Sequence, residues 1–428
     1  MVGEKTTFEK IEIDTTYLII AAMLLLGVCC TFLPLQIVAI LMLGFTFLLC
    51  IKKNGVLALP VLLYYYNYFG DIAGIRTFYV CAILIVAFDI KSILKIKRDI
   101  TLWLAVLVYF LYLVYVVSSI DIKAMIYSGI AIVSVLYAKK KLSTDEKTMR
   151  LFFCVFAMTA IVSYFTGLMN QNVYDSVLTL DGQVSNVIRG MGTFNDPNYM
   201  GVFYSVAVFA IVTLELFDKR LRVIIICTLY VMIATTLSMT AILGNAFFWI
   251  IYLLLTKKIN LKTVIIIMIV AVVCSIIYQY GLSHRDIPYL GDLSARISDK
   301  LQNINNINSL TTGRTGHAED HWNYYWSQNG IRMLIGGNCV NSLAIDPKID
   351  TIAAHNEYVD LLLNVGVAGT AILILYLIKR MIQEYFNYRN NGCNRYALCV
   401  FIIKVIYAFY AATLTLFMEN RFLLFYFL

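Results

Sequence analysis

"TVIIIMIVAVVCSIIYQYGL", residues 263–282, runs for twenty residues without a charge. Coiled as a helix rising 1.5 Å per residue, it reaches about 30 Å, the thickness of a bilayer's hydrocarbon core. A segment in hydrocarbon must satisfy its own backbone polar groups, so it is a helix or part of a closed barrel. The alternating pattern of barrel strands is absent, and the helix remains. "YLIIAAMLLLGVCCTFL" (17–33) reads the same way. The composition, 61% hydrophobic and 14% charged, extends that reading to the whole chain. The expected fold class is an all-α polytopic membrane protein.

Spans are expected at 17–33, 36–51, 56–70, 77–90, 101–118, 122–138, 151–169, 198–217, 223–238, 240–256, 263–282, 357–378 and 396–417. That makes about 13 transmembrane helices. The tail "ENRFLLFYFL" is too short to cross alone, and would finish a fourteenth span if the thirteenth ended early. The N-terminus carries Glu4, Lys5, Glu9 and Lys10 and runs into a full span, so no cleavable signal is expected.

Alternate loops hold "KKN" (52–54), "KSILKIKR" (91–98), "KKKLSTDEKTMR" (139–150), "DKRLR" (218–222), "KKINLK" (257–262) and the basic residues of 379–395. The short loops opposite hold only Arg76, Lys123 and Arg189. Positive charge marks the cytoplasmic side, so the N-terminus is inside. The formal net charge of +8 is therefore topological and does not point to nucleic acid. Of ten cysteines only Cys339 falls in an external loop, which leaves no disulfide framework.

Five regions follow: N-terminal spans (1–169), an external loop (170–197), central spans (198–282), a long external loop (283–356) and C-terminal spans (357–428). The long loop contains "LSARISDKLQNINNINSLTTGRTGHAEDHWNYYWSQNG" (293–330), with a helical rhythm and amide-rich breaks. A connector of that length is expected to work. No internal repeat, Rossmann or P-loop pattern is seen.

In "SNVIRGMGTFNDPNYMGVF" (185–203), Pro197 suits a first helical turn and Asp196 its N-cap. The stretch reads either as a capped helix start or as an anion site, with Arg189, flexible glycines and free helix N–H groups. Asn195 and Asn198 belong to the same turn. In the long loop, Arg314 precedes Trp322, Tyr324, Tyr325 and Trp326. These rings serve as interfacial anchors or as platforms for sugars, with Arg314 as a second phosphate clamp. His317 and His321 sit four apart in "HAEDH" (317–321), as zinc ligands can. No third ligand lies nearby and the metalloprotease order is not kept, so a polar helical face is the reading and no metal is assigned. His355 begins "HNEYVDLLLNVG" (355–366) at the outer end of a span. It is either a helix cap or a general base, oriented by Asn356 and Glu357. Lys404, within "CVFIIKVIYAFYAA" (399–412), is an ionisable group at membrane depth, and Asn245 and Glu419 are milder cases.

These motifs resemble the O-antigen polymerase and O-antigen ligase superfamily of integral membrane glycosyltransferases. His355, ten intervening residues and Gly366 reproduce its His-x10-Gly pattern. Arg189 stands where its Arg-x10-Gly pattern begins, although Met200 fills the glycine position and Gly201 follows. "GTFNDPN" (192–198) is similar to its Gly-x-Phe-x-x-Pro-Asn stretch. Gly313-Arg314, Trp322 and Gly336-Gly337 are similar to its long-loop pattern. "TLSM" (236–239) departs from its Thr-x-Ser-Arg, with Met239 in place of the arginine. The resemblance covers roughly residues 185–380.

The resemblance implies a GT-C-like fold in the bacterial cytoplasmic membrane, with the site on the external side. It implies a polysaccharide polymerase, for O-antigen or capsule, that transfers undecaprenyl-diphosphate-linked glycan onto a lipid-linked repeat unit. His355 would be the base, and Arg189 and Arg314 would neutralise the diphosphate without metal or cofactor. Asn195, Asp196, Asn198, Trp322, Tyr325, Asn356 and Glu357 would bind substrate. A flippase and a chain-length regulator are the implied partners, beside membrane lipid. The ligase that moves finished glycan to a lipid A core or wall acceptor shares these motifs. A lipid-linked glycan flippase is the rival from another class; it would place charge along a central path and need no long outer loop.

Overall fold

The computed structural model describes residues 14–90, 99–116, 122–180, 183–257, 260–302, 314–337, 355–390, 394–414, 416–417 and 419–428. The N-terminal charges Glu4 to Lys10, the amide-rich 303–311, Gly313, Asn338 and Cys339 lie outside them.

The N-terminal part is built from α1 (Thr15–Cys29), α2 (Leu35–Ile51), α3 (Leu59–Tyr64), α4 (Thr77–Phe88), α5 (Ile100–Val116), α6 (Ile122–Thr144) and α7 (Glu146–Met169). The centre holds α8 (Pro197–Thr213), α9 (Lys219–Thr235), α10 (Met239–Thr256) and α11 (Leu261–Ser283). Three helices occupy the long loop: α12 (Leu290–Gln302), α13 (Arg314–Trp326) and α14 (Gly330–Ile335). The chain closes with α15 (Glu357–Asn390), α16 (Arg395–Ala411) and α17 (Leu423–Phe427). α6, α7, α10 and α15 are long and apolar enough to cross a membrane, and shorter apolar helices stand beside them. The outward faces carry exposed large apolar side chains, as along α11 with Ile265, Met268, Val272 and Ile276. A water-soluble surface does not keep such a belt. This is an all-α membrane protein.

Helix starts follow local chemistry. Asp145, Asp196, Asp218, Ser238 and Asn394 each cap a helix by accepting a hydrogen bond from a first-turn N–H. Short connections leave consecutive helices antiparallel. The starts of α4, α6, α8, α10 and α15 therefore gather at one end, with the ends of α5, α7, α9, α11 and α16. The described basic segments 139–150 and 218–222 lie at the other.

Four expectations change. The span at 56–70 is a 3-10 turn (Gly55–Ala58) and a helix that stops at Tyr64. There the tyrosine-rich "YYYNYF" turns into side-chain packing, Tyr65 stacks on Phe69 at 4.9 Å, and the Tyr64 carbonyl is taken by Thr193 Oγ1 at 2.6 Å. The loop 170–197 contains a hairpin, β1 (Val173–Leu180) against β2 (Gln183–Gly190), with Tyr174 opposite Arg189 in register. The tail does not finish a span: α16 ends at Ala411, and a 3-10 turn (Asn420–Phe422) leads into α17, buried inside the bundle. Lys404 serves that packing, donating to Tyr426 O at 2.8 Å.

The fourth concerns the expected span 357–378, which is longer and broken. α15 leaves helical geometry at Gly366, with φ 66° and ψ −176°. Gly336 fills the break: a β-carbon on either glycine would collide with the other's backbone neighbourhood, at Leu334 O or Asn364 O. Gly337 N donates to Asn364 O at 3.1 Å. Only glycine takes these positive φ values at this separation.

Candidate functional site

A cavity of about 480 Å³ opens at the end where α8, α10 and α15 begin, walled by α12 and α13. Asn198, Arg296, Lys300, Arg314, His355 and Asn356 line it. Arg314, the first residue of α13, donates to Thr413 O at 3.2 Å. Burial pulls its pKa below the usual arginine value, and nearby Asp196 opposes that. Arg296 and Lys300 are four apart on α12 and share a face. Burial lowers both pKa values. Arg296 Nε has no hydrogen-bond partner among the described residues.

His355 sits just before α15 with φ 50°, in the left-handed region. Such a residue costs on the order of 1–3 kcal/mol and persists where its surroundings hold it. Its pKa is lowered from 6.5, first by burial, then by Arg314 and His317, with Asp196 opposing. The imidazole is thus neutral at neutral pH, the form that accepts a proton. His317 lies beside it, ring centroids 6.5 Å apart. "HAEDH" and His355, read apart in the sequence, belong to one neighbourhood. His321 is buried. Among the described residues no three His, Cys, Asp or Glu side chains converge to hold a metal.

Arg189 does not line the cavity; it builds the wall. At 5% exposure, its Nε donates to Thr236 O at 2.8 Å and its Nη2 to Asn198 Oδ1 at 3.1 Å. Asp196 caps α8, accepting from Asn198 N at 2.6 Å, and Asn195 is exposed. The glycines serve packing: Gly192, with φ 55°, has no room for a β-carbon beside Met200. Met239, where the resembling pattern has arginine, faces the cavity.

The other expected substrate residues divide. Asn356 accepts from Tyr358 N and Val359 N at 3.1 and 3.3 Å; it caps α15 while still reaching the cavity. Glu357 is turned away, accepting from Leu416 N and Phe417 N, so it ties the tail down and does not orient His355. Tyr325 is 2% exposed, donates to Met333 O at 3.0 Å and packs with Val359 and Leu363. It therefore offers no face to a sugar. Trp322 is exposed but outside the cavity. Asn245 donates to Ser205 Oγ at 2.7 Å within the bundle.

Two groups went unread in the sequence. Arg296 and Lys300 were legible as a basic i, i+4 pair on the loop's most amphipathic helix. Arg421 carried no signal: it is buried between Phe194 and Tyr66, 4.1 and 5.4 Å from their ring centres, and pairs with Glu419.

Set against models of known families, curated proteins and solved structures, the chain matches none. The geometry alone defines the site. Three cations converge beside a neutral imidazole, in a partly desolvated cavity at one end of a membrane bundle. That arrangement can hold a doubly charged anion and accept a proton next to it.

Proposed function

We propose that the chain is a polysaccharide polymerase, a membrane glycosyltransferase that uses a polyprenyl-diphosphate-linked donor at the outer face of the bacterial cytoplasmic membrane. The proposal includes the thirteen-span, GT-C-like topology. The observation that carries it is the cavity shared by Arg296, Lys300, Arg314 and His355. Cations that reach a diphosphate in a partly dry site stabilise the charge that develops as it leaves. An acceptor hydroxyl gives its proton to His355, and its oxygen bonds to the anomeric carbon. The bond from that carbon to the diphosphate oxygen breaks, and the lipid diphosphate departs with the electron pair. Arg296 and Lys300 supply charge that Met239 does not. Arg189 takes a positioning role, holding Asn198 at the wall. The three cations of this cavity sit together at one end of the bundle, which supports transfer over transport.

The test supplies lipid-linked repeat units to the purified protein and looks for a glycan ladder. A ladder that survives chelator and disappears in His355→Ala is expected. Glycan moved only onto an added lipid A core would make the protein a ligase, and movement of intact donor across vesicles without new bonds would make it a flippase.

A further inference from the structure

A second cavity, of about 470 Å³, lies at the same end, between α4, α5, α6 and the turn at Asn420. Its floor is made of hydroxyls. Tyr66 and Tyr79 hydroxyls bond each other, and Asn420 Nδ2 donates to Tyr79 OH at 2.9 Å. Ser128 Oγ donates to Asn420 Oδ1 at 3.1 Å. The hydroxyl of Tyr112, a fully buried residue lining this cavity, has no partner among the described residues. A buried hydroxyl left unpaired is costly, and a ligand hydroxyl would satisfy it. The rim is charged. Arg76 lies over the Tyr66 ring at 4.8 Å and Lys123 over the Tyr127 ring at 5.6 Å, with Asp71 the only acid in the lining among the described residues. Both cationic side chains are exposed.

We propose that this cavity binds a sugar ring bearing a carboxylate, its hydroxyls on the Tyr112 floor and its acid at Arg76 and Lys123. A lipid tail would want an apolar floor, and a bare anion would leave Tyr112 unused. Arg421, stacked on Tyr66 on one side and Phe194 on the other, joins this cavity to the Asn195–Asn198 turn. The binding itself does not rest on the proposed polymerase.

The probe is glucuronic acid, titrated by calorimetry into the full-length protein in detergent. Binding in the millimolar range is expected, weakened about tenfold by Arg76→Gln or Lys123→Gln, each a lost charged contact. Tyr112→Phe should weaken it about threefold, and glucose should bind about tenfold less tightly than glucuronate. Arg314→Gln and His355→Ala should leave glucuronate binding as it was, whatever they do to polymer formation. No measurable binding, unchanged binding in the rim variants, or equal binding of glucose overturns the proposal. So does equal competition by inorganic phosphate, which would mean an anion site, or displacement by phosphatidylglycerol, which would mean a lipid site. Loss of binding in Arg314→Gln alone would place the sugar in the first cavity.

Discussion

The hairpin strand that carries Arg189 and the segment that carries His355 lie beside one cavity but are built in opposite ways. Around Arg189 the space is closed: its guanidinium is bonded to Thr236 and Asn198, Thr193 to Tyr64, and Gly192 is pressed against Met200. Around His355 the backbone is strained, and Arg296 keeps a nitrogen unpaired among the described residues. The first region spends its polar groups on itself, and the second keeps at least one, Arg296 Nε, without a partner among the described residues. Resemblance implies both arginines as phosphate clamps; the hydrogen bonds give Arg189 an architectural role, while Arg314 lines the cavity, where the proposed function uses it.

That contrast breaks most easily at His355. His355→Ala should cut polymer formation about 10²–10⁴-fold while protein amount and melting stay at wild-type values. A ladder formed at full speed would show that another group takes the proton. Arg314→Gln should cost about 10²–10³-fold in rate, again without a change in melting. Arg189→Met should do the reverse. Loss of buried bonds from a charged donor should lower stability by about 2–3 kcal/mol, read as a fall in melting temperature and in membrane yield. Should Arg189→Met melt normally and only stop catalysis, the division between the two regions collapses.

A pH profile sharpens the same contrast. Burial and Arg314 lower the His355 pKa from 6.5, so the neutral base persists below that pH. The acid limb of the rate should therefore lie below pH 6.5, where protonation finally removes the base. In Arg314→Gln, the residual rate should show that limb moved upward, since a neighbouring positive charge is gone. A limb that stays in place would show that another group titrates. At the small end, Trp322→Ala should change stability by less than about 0.5 kcal/mol and the rate hardly at all, because this exposed ring lies outside the cavity.

Hydropathy made most helix positions readable, because a span's apolar length is a local property. Where side chains fold back on their own segment it fails. The "YYYNYF" run follows an apolar stretch but is itself polar-tipped, and it ends α3 where Tyr65 stacks on Phe69. Alternation in "VYDSVLTL" and "QVSNVIRG", with Asp181-Gly182 between them in the sequence, is the pattern of a hairpin, hidden inside a segment whose polar residues read as a loop. Asp196 and Asn356 were readable as caps from their place before helices. The direction of Glu357 was not, since its partners lie some sixty residues downstream at Leu416 and Phe417. The closeness of His317 and His355 likewise depends on how α13 lies against α15. The pairing of Gly336 with Gly366 sets that arrangement, and neither glycine names the other in sequence.

That glycine contact also governs timing. The piece of α15 before Gly366 cannot take its shape from insertion alone, because its break is filled by a segment of the outer loop. The helices can therefore settle first, and the stretch that carries His355 is finished only once Gly336 has docked. A chain with its bundle otherwise complete would still lack the finished cavity for that interval. Cysteines placed at Leu334 and Val365 should report the moment: they should cross-link in the mature protein and fail to do so while Gly336→Val keeps the loop from docking. Cross-linking in that variant would mean that the break forms without its partner.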